Sequence, residues 1–379
     1  MALDKFRKSG HRPDYAFIGL ILILLCIGLL MILSSSVVVA FQNYGNNYYF
    51  VTKQLTNIVY AMVVFFIAMA IDYHSYKKIA VPFFVISVIL AIAVLIPGIG
   101  VSVNGAQRWL DFGFVRFQAS EVLKLGLIIY FSFWLSVKIK ELNTPKTFIT
   151  FLTILASLVL IVILQRDLGT TIIITSILIL LYFLAGGGLQ YIALTLGLGF
   201  FALIGFIRFE AYRLTRFLVF LNPDQQLLGA GYHINQALLA IGTGGLWGLG
   251  FSNSKQKYLY LPEPHTDSIF AIMGEELGFI RILIFLLILT LFLLKGFAIA
   301  KSAPDNFGRF LGFGIMSWFA VQSILNISAM LGLVPLTGVP LPLISYGGTS
   351  VVILLAALGI VVNISKYSIR KEKEKHARA

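Results

Sequence analysis

Between Glu263 and Asp267 the chain sets two acids and a histidine within five residues, in the segment Leu261-Pro262-Glu263-Pro264-His265-Thr266-Asp267-Ser268. A long polar loop ends here and an apolar run begins. A carboxylate at such a boundary sits at low dielectric yet still touches water, which suits a general base or a cation ligand. Asp267 is therefore expected to carry the chemistry. The plain structural role for Thr266 or Asp267 is to cap the following helix. One His and one Asp at spacing two form a weak metal pattern.

Other residues with chemical potential lie far apart in sequence. Asn104-Gly105-Ala106-Gln107-Arg108-Trp109-Leu110-Asp111-Phe112 alternates polar and aromatic residues. Arg108 offers a planar fork for a phosphate or meets lipid head groups; Trp109 stacks on a sugar or belongs to an interfacial belt. Ser120 is a candidate helix cap, followed by Glu121 and by Lys124 inside an apolar run. A lone lysine there is costly unless paired, and Asp167 is the expected partner. Arg208, Arg213 and Arg216 form a basic cluster suited to anionic head groups or to a pyrophosphate, and Lys255 and Lys257 raise the same question. Glu275 and Glu276 are deeper and must be paired, protonated or cavity-facing. Gly274 and Gly278 have the spacing of a close-packing helix face, and Asp267, seven residues before Gly274, is expected on roughly that face. Gly338 to Ser350, with Pro340, Pro342 and Ser345, breaks the chain before the last apolar run. Broken backbone at membrane depth is tolerated against protein or a water-filled cavity.

These segments need a scaffold, and composition supplies it. The 379 residues are 59% apolar and 12% charged, far from a soluble domain. Ten apolar runs of bilayer length fall near 15–36, 53–71, 79–97, 120–137, 147–164, 168–186, 190–207, 267–294, 308–331 and 349–364. The expected fold is an all-α polytopic membrane protein, one domain over 1–379. It has short tails at 1–14 and 365–379 and a large extracytoplasmic loop, 208–266, between helices 7 and 8. Within that loop, Gly231 to Gly242 is too short to span and reads as an interfacial or re-entrant helix. The first apolar run is too long for a signal core and reads as an anchor. The net charge of +13 follows from Lys and Arg in alternating loops, so nucleic acid is not expected. Cys26 is the only cysteine, so neither a disulfide framework nor a thiolate metal site is possible within the chain.

With the N-terminus inside, the outer segments hold about half as many Lys and Arg as the inner ones. Both termini are thus expected in the cytoplasm. Segments 98–119, 208–266 and 332–348 then share the outer side, where a single site can draw on all three.

At these residues the chain resembles the SEDS family (shape, elongation, division and sporulation). The likeness rests on Gly105-Ala106-Gln107-Arg108-Trp109, Phe117 to Glu121, Asp167-Leu168-Gly169-Thr170, Leu261 to Asp267 with Gly274-Glu275-Glu276, and Pro340 to Ser350. Lys255-Gln256-Lys257-Tyr258 looks more like division members than elongation members. Arg166 and Ala119 stand where the family commonly has Pro, and Thr337 where some division members carry Lys. The resemblance implies a peptidoglycan glycosyltransferase in a bacterial cytoplasmic membrane. It would polymerise lipid II, a disaccharide-pentapeptide on undecaprenyl pyrophosphate, into glycan strands at the outer face. A septal role is expected, with an elongation-type polymerase or a lipid II flippase as alternatives.

The resemblance matches Asp267 to the family's essential acid. Asp267 would act as base, or as ligand to a divalent cation (Mg or Mn) assisting that role. Substrate-binding residues are expected among Trp109, Arg108, His265, Glu263, Arg213, Arg216 and Ser345. Lys124, Asp167, Glu121 and Glu276 are expected to support the site. The implied partners are lipid II, a class B penicillin-binding protein and other division or elongation proteins.

Overall fold

A computed structural model describes residues 12–103, 106–111, 113, 116–209 and 231–368. Eleven α-helices are present among them. They are α1 (Tyr15–Tyr44), α2 (Tyr49–Ala70), α3 (Tyr76–Ala93), α4 (Ala119–Lys138), α5 (Pro145–Leu164), α6 (Leu168–Leu184), α7 (Leu189–Phe209), α8 (Tyr232–Gly244), α9 (Ile269–Lys301), α10 (Asn306–Met330) and α11 (Gly348–Ser365). Eight helical segments are long and apolar enough to cross a bilayer. The shorter apolar stretches Leu168–Leu184 and Leu189–Ala202 complete the ten expected spans. The helical class and the span order follow the sequence. The basic tail after Ser368 lies outside the described residues.

Local chemistry fixes several helix starts. Asp14 accepts from the Phe17 N–H, Thr144 from Thr147 and Asp305 from Gly308, each satisfying a donor that the first turn leaves open. Pro145 opens α5, where its missing N–H costs nothing. Ser120 does not cap α4: that place belongs to Gln118, and the Ser120 hydroxyl is buried without a partner.

The centre of the bundle is α10 and α11, whose apolar windows are 67% and 72% buried, against 17% for the span containing α3. The outer helices turn most of their apolar surface to lipid, as exposed Val59, Tyr60, Ile89, Leu160 and Phe201 show.

One element lies outside the helical expectation. Residues 100–118 form a small antiparallel sheet, β1 (Gly100–Val103), β2 (Ala106–Asp111) and β3 (Arg116–Gln118), in that order. Trp109 sits on the central strand, opposite Val101 and Gln118. Leu110 anchors the sheet against Val94 and Ala119. Trp109 and Leu110 are adjacent on β2 and so point to opposite faces of the sheet.

The helix after the Asp267 turn is broken. A straight helix of 33 residues would be about 50 Å long, well beyond a bilayer core of about 30 Å. Gly278 interrupts α9 with φ 75° and ψ 175°. Residues 279–301 then cover about 34 Å and Ile269–Leu277 forms a separate half-helix. The neighbour α10 gives an internal ruler. From Asn306 to Asn326 it rises about 30 Å, and Asn326 Nδ2 still reaches the Asp267 carbonyl at 2.8 Å. The half-helix must therefore lean over at Gly278.

The loop 245–250 fills the break. Phe279 and Ile280 donate to the carbonyls of Gly245 and Leu246, while Leu249 and Gly250 donate to those of Glu275 and Glu276. A Cβ on Gly278 would collide with the main-chain nitrogen of Gly248. The half-helix packs on α8, where the Gly244 Cα faces the Gly274 carbonyl.

Candidate active site

The turn that carries Asp267 is built from its own polar atoms. Thr266 and Ser268 donate their N–H groups to the Glu263 carbonyl (3.3 and 3.2 Å), with Glu263 in the left-handed region at φ 50°. The Ser268 hydroxyl donates to the Pro262 carbonyl at 2.7 Å. It consequently accepts from His233 Nε2 of α8 at 2.6 Å, which fixes the proton on that nitrogen. The helix cap is Ser268, and it makes no side-chain cap bond, so neither Thr266 nor Asp267 caps α9. Asp267 stands two residues before the helix, not on the Gly274 face.

The Asp267 carboxylate is half-buried and faces the backbone of Gly338, where a Cβ would come within 3.4 Å of Oδ2. Gly338 has φ 65°, so the close approach and the turn both depend on its lack of a side chain. Burial holds the Asp267 carboxyl above the usual carboxylate range, reinforced by the charge of Glu263; a Thr266 hydrogen bond and His233 act the other way. A buried carboxylate raised in basicity is suited to accept a proton.

Around this turn the structure collects segments that are distant in sequence. His265 lies buried against the rings of Phe50 (4.2 Å) and Tyr346 (5.6 Å), and its carbonyl accepts from the Tyr346 N–H at 2.8 Å. Burial pushes the His265 imidazole down to about 4, so it is neutral at physiological pH. Ser345 Oγ accepts from Leu341 N–H at 2.8 Å and lines a small pocket with Gln322, Pro340 and Tyr346. Gly169, at the start of α6, packs on Thr337 and Val339. The N–H of Gln118, the last residue of β3, reaches Thr349 Oγ1 at 3.3 Å. The sheet, the head of α6 and the 337–349 segment thus form one end of the molecule with the Asp267 turn.

The buried charges pair differently from the sequence expectation. Lys124 bonds Glu121 at 2.8 Å and Gln322 at 3.1 Å, and lies 4.7 Å from the Trp318 ring centre. It does not pair with Asp167. Glu121 is one turn away on the same face, which the spacing of three residues permits. Asp167 is occupied otherwise: it caps α6 through Thr170 N and Oγ1 (3.0 and 2.8 Å) and pairs with Arg108 Nε at 3.2 Å. Arg108 also donates to the Arg166 carbonyl at 3.1 Å. Glu276 is held by Lys257 Nζ (3.2 Å), Ser34 Oγ (2.6 Å) and the Ser254 N–H (3.3 Å). Glu275 accepts from Ser254 Oγ, Lys255 N–H and Gln256 N–H. Lys257 is thereby committed to structure, 2% exposed, while Lys255 stays at the surface.

Comparison with known proteins assigns this architecture. Residues 15–370 match the cell cycle protein family FtsW/RodA/SpoVE. The chain is a member of the SEDS family. It is 38% identical to stage V sporulation protein E of Bacillus subtilis (strain 168), over 94% of this chain and 98% of that protein. It is 36% identical to the probable peptidoglycan glycosyltransferase FtsW of Geobacter sp. (strain M18), over 95% and 98%. Among solved structures, one described as structural coordination of polymerization and crosslinking by a peptidoglycan synthase complex superposes with TM-score 0.76 at 24% identity, over 93% of this chain and 97% of that one. The rod shape determining protein RodA of Thermus thermophilus superposes with TM-score 0.70 at 23% identity, over 94% and 98%.

In this SEDS protein the expected site residues fall into three groups. Asp267, Glu263, His265 and Ser345 meet at the turn and the 338–350 segment. Arg108 and Trp109 lie on β2 beside Asp167, with the Arg116 guanidinium 5.5 Å from the Trp109 ring centre. Arg213 and Arg216 lie outside the described residues. Among the described residues no three His, Cys, Asp or Glu side chains converge on a metal site, so no all-protein metal cage is formed there. Sequence reading missed His233, Gln322 and Asn326. The signal for the last two was present: two amides four residues apart in an apolar span are costly unless they bind something.

Proposed function

We propose that this protein polymerises lipid II at the outer face of the cytoplasmic membrane, with Asp267 as the general base. The observation that carries the reading is the Asp267 carboxylate: half-buried, raised in basicity, and facing the open edge of Gly338. A sugar hydroxyl attacks the anomeric carbon of a second lipid-linked sugar. Asp267 takes the hydroxyl proton, the new glycosidic bond forms, and the bond from the anomeric carbon to the pyrophosphate oxygen breaks. The lipid pyrophosphate leaves with the bonding electrons. Its charge needs cationic neighbours, and Arg108, Arg213 and Arg216 are the candidates by charge and side. Arg108 shares its guanidinium with Asp167, so its part is to hold the sheet against α6 as well as to meet an anion.

Alternatively, Asp267 would hold a divalent cation (Mg or Mn), whose other ligands would come from substrate and water and whose charge would assist the base role.

The relatives named as glycosyltransferases support the polymerase reading over a lipid II flippase. So does the pairing of Lys124, Asp167 and Glu276, which leaves these buried charges committed rather than lining a path. The excess of Lys and Arg in the opposite loops supports an outer site with both termini in the cytoplasm. The FtsW names among the relatives, and the Lys255-Gln256-Lys257-Tyr258 sequence, favour septal synthesis with a class B penicillin-binding protein as partner. The test is purified protein with such a partner and lipid II, comparing wild type with Asp267→Asn. Glycan strands from wild type alone support the assignment; strands at equal rate from both remove Asp267 from the mechanism.

A further inference from the structure

Helix α10 carries two buried amides one turn apart, Gln322 and Asn326, exposed 0% and 1%. Both face the non-helical segment before α11. Pro340 and Pro342 prevent that segment from forming a helix, so its carbonyls need outside donors. Gln322 Nε2 donates to the Pro340 carbonyl at 2.9 Å, and Asn326 Nδ2 to the Val339 carbonyl at 2.7 Å.

Each amide then does something more. Gln322 Oε1 accepts from Lys124 Nζ at 3.1 Å and from Trp318 Nε1 at 2.7 Å. Asn326 Nδ2 also donates to the main-chain carbonyl of Asp267 at 2.8 Å. A continuous chain of contacts results. It runs from Glu121 through Lys124 and Gln322 to Pro340 and Val339, and from Val339 through Asn326 to Asp267. Gly338, the neighbour of Val339, is the residue whose backbone faces the Asp267 carboxylate.

We infer that Asn326 and Gln322 are positioning residues for Asp267. They fix the 338–340 segment and the Asp267 turn to one helix face, so that carboxylate and open backbone edge keep their spacing. The buried Lys124–Glu121 pair is the anchor at the far end of the same face. This rests on Asp267 acting as the base. Placement matters at this scale, because a shift of about 1 Å at a reacting group can cost on the order of 100-fold in rate.

The test uses the full-length protein with its class B partner and lipid II. Initial rates are read against lipid II concentration and pH for Asn326→Ala, Asn326→Asp, Gln322→Glu and Asp267→Asn. Melting temperatures are read on the same samples. Asn326→Ala removes both donations. Asn326→Asp keeps the shape but sets an oxygen against two carbonyls, and it decides the matter where the alanine variant fails to fold. Both should lower kcat by about 100-fold with KM changed less than about twofold. Both should also move the acidic limb of the pH–rate profile to lower pH, because a loosened turn exposes the carboxyl to water. Gln322→Glu keeps an oxygen for Lys124 and Trp318 but loses the donor to Pro340, and should cost about fivefold. Asn326 variants with wild-type kcat, beside an inactive Asp267→Asn, would overturn the inference alone. So would a kcat loss with an unmoved acidic limb and a lowered melting temperature, the result of a purely structural role. A fully active Asp267→Asn would overturn the reading of Asp267 and this inference with it.

Discussion

Acidic side chains flank both ends of the half-helix Ile269–Leu277, and the two ends are built in opposite ways. At its C-terminal end, Glu275 and Glu276 receive donors from Ser254, Lys255, Gln256, Lys257 and Ser34. Before its N-terminus, the Asp267 carboxylate faces the Gly338 backbone, and burial outweighs the Thr266 hydrogen bond it receives. The helix dipole favours an anion before the first turn and opposes one after the last. Glu275 and Glu276 sit where the dipole works against an anion, and the donors around them offset that cost, whereas burial holds the Asp267 carboxyl above its usual range despite the dipole. The difference separates a structural acid from a reactive one: the first is tied to a buried lysine and a loop backbone, the second faces an open backbone edge.

The contrast can be broken at either end. Asp267→Asn should lower polymerisation by at least about 100-fold, as loss of a general base does, with the melting temperature unchanged or raised, because a poorly solvated carboxyl becomes neutral. A drop in stability instead would make Asp267 a structural acid like the other two. Lys257→Met should do the reverse, costing about 3–5 kcal/mol of stability by stranding Glu276. Adding Glu276→Gln should return most of that loss in the same thermal melts; no return would mean that Lys257 acts by packing. Gly278→Ala should cost about 3 kcal/mol, from a positive φ and a collision with Gly248. The smallest effect concerns His265. Its folded pKa, about 4, lies below the unfolded value, so the native state resists protonation and stability is lost as pH falls from about 6.5 towards about 4. His265→Asn should remove about 1 kcal/mol of that acid sensitivity at pH 5.5, read as a smaller fall in melting temperature between pH 7.5 and 5.5.

Much of the frame was legible because the bilayer enforces it. Ten apolar runs became ten helices, since length and hydropathy decide a span, although the first and eighth run on to Tyr44 and Lys301, past the expected ends at 36 and 294. The short helix expected at Gly231 to Gly242 was legible from its apolar stretch and glycine ends and became α8. The sheet at 100–118 was not: its strands are too short for periodicity to separate from a loop, and among its described residues Leu110 is the buried anchor. Ion pairing was misread where a local partner competed with a distant one. Glu121 and Lys124 share a helix face, while the demand of α6 for a cap removed Asp167 from the pool. The Asp267 turn was found from residue types, yet the residues that hold it, His233 and Asn326, come from α8 and α10: a single imidazole carries no pattern of its own, and the Gln322 and Asn326 spacing signals a need for partners without naming them.

The break at Gly278 has a mechanical consequence. Its gap is stitched by four main-chain bonds to the loop 245–250, so half-helix and loop form one stiff lever resting on the end of the membrane span. A load applied to the exposed tip at Leu246 and Trp247 is delivered to the arm that carries Asp267, while residues 279–301 stay seated in the bilayer.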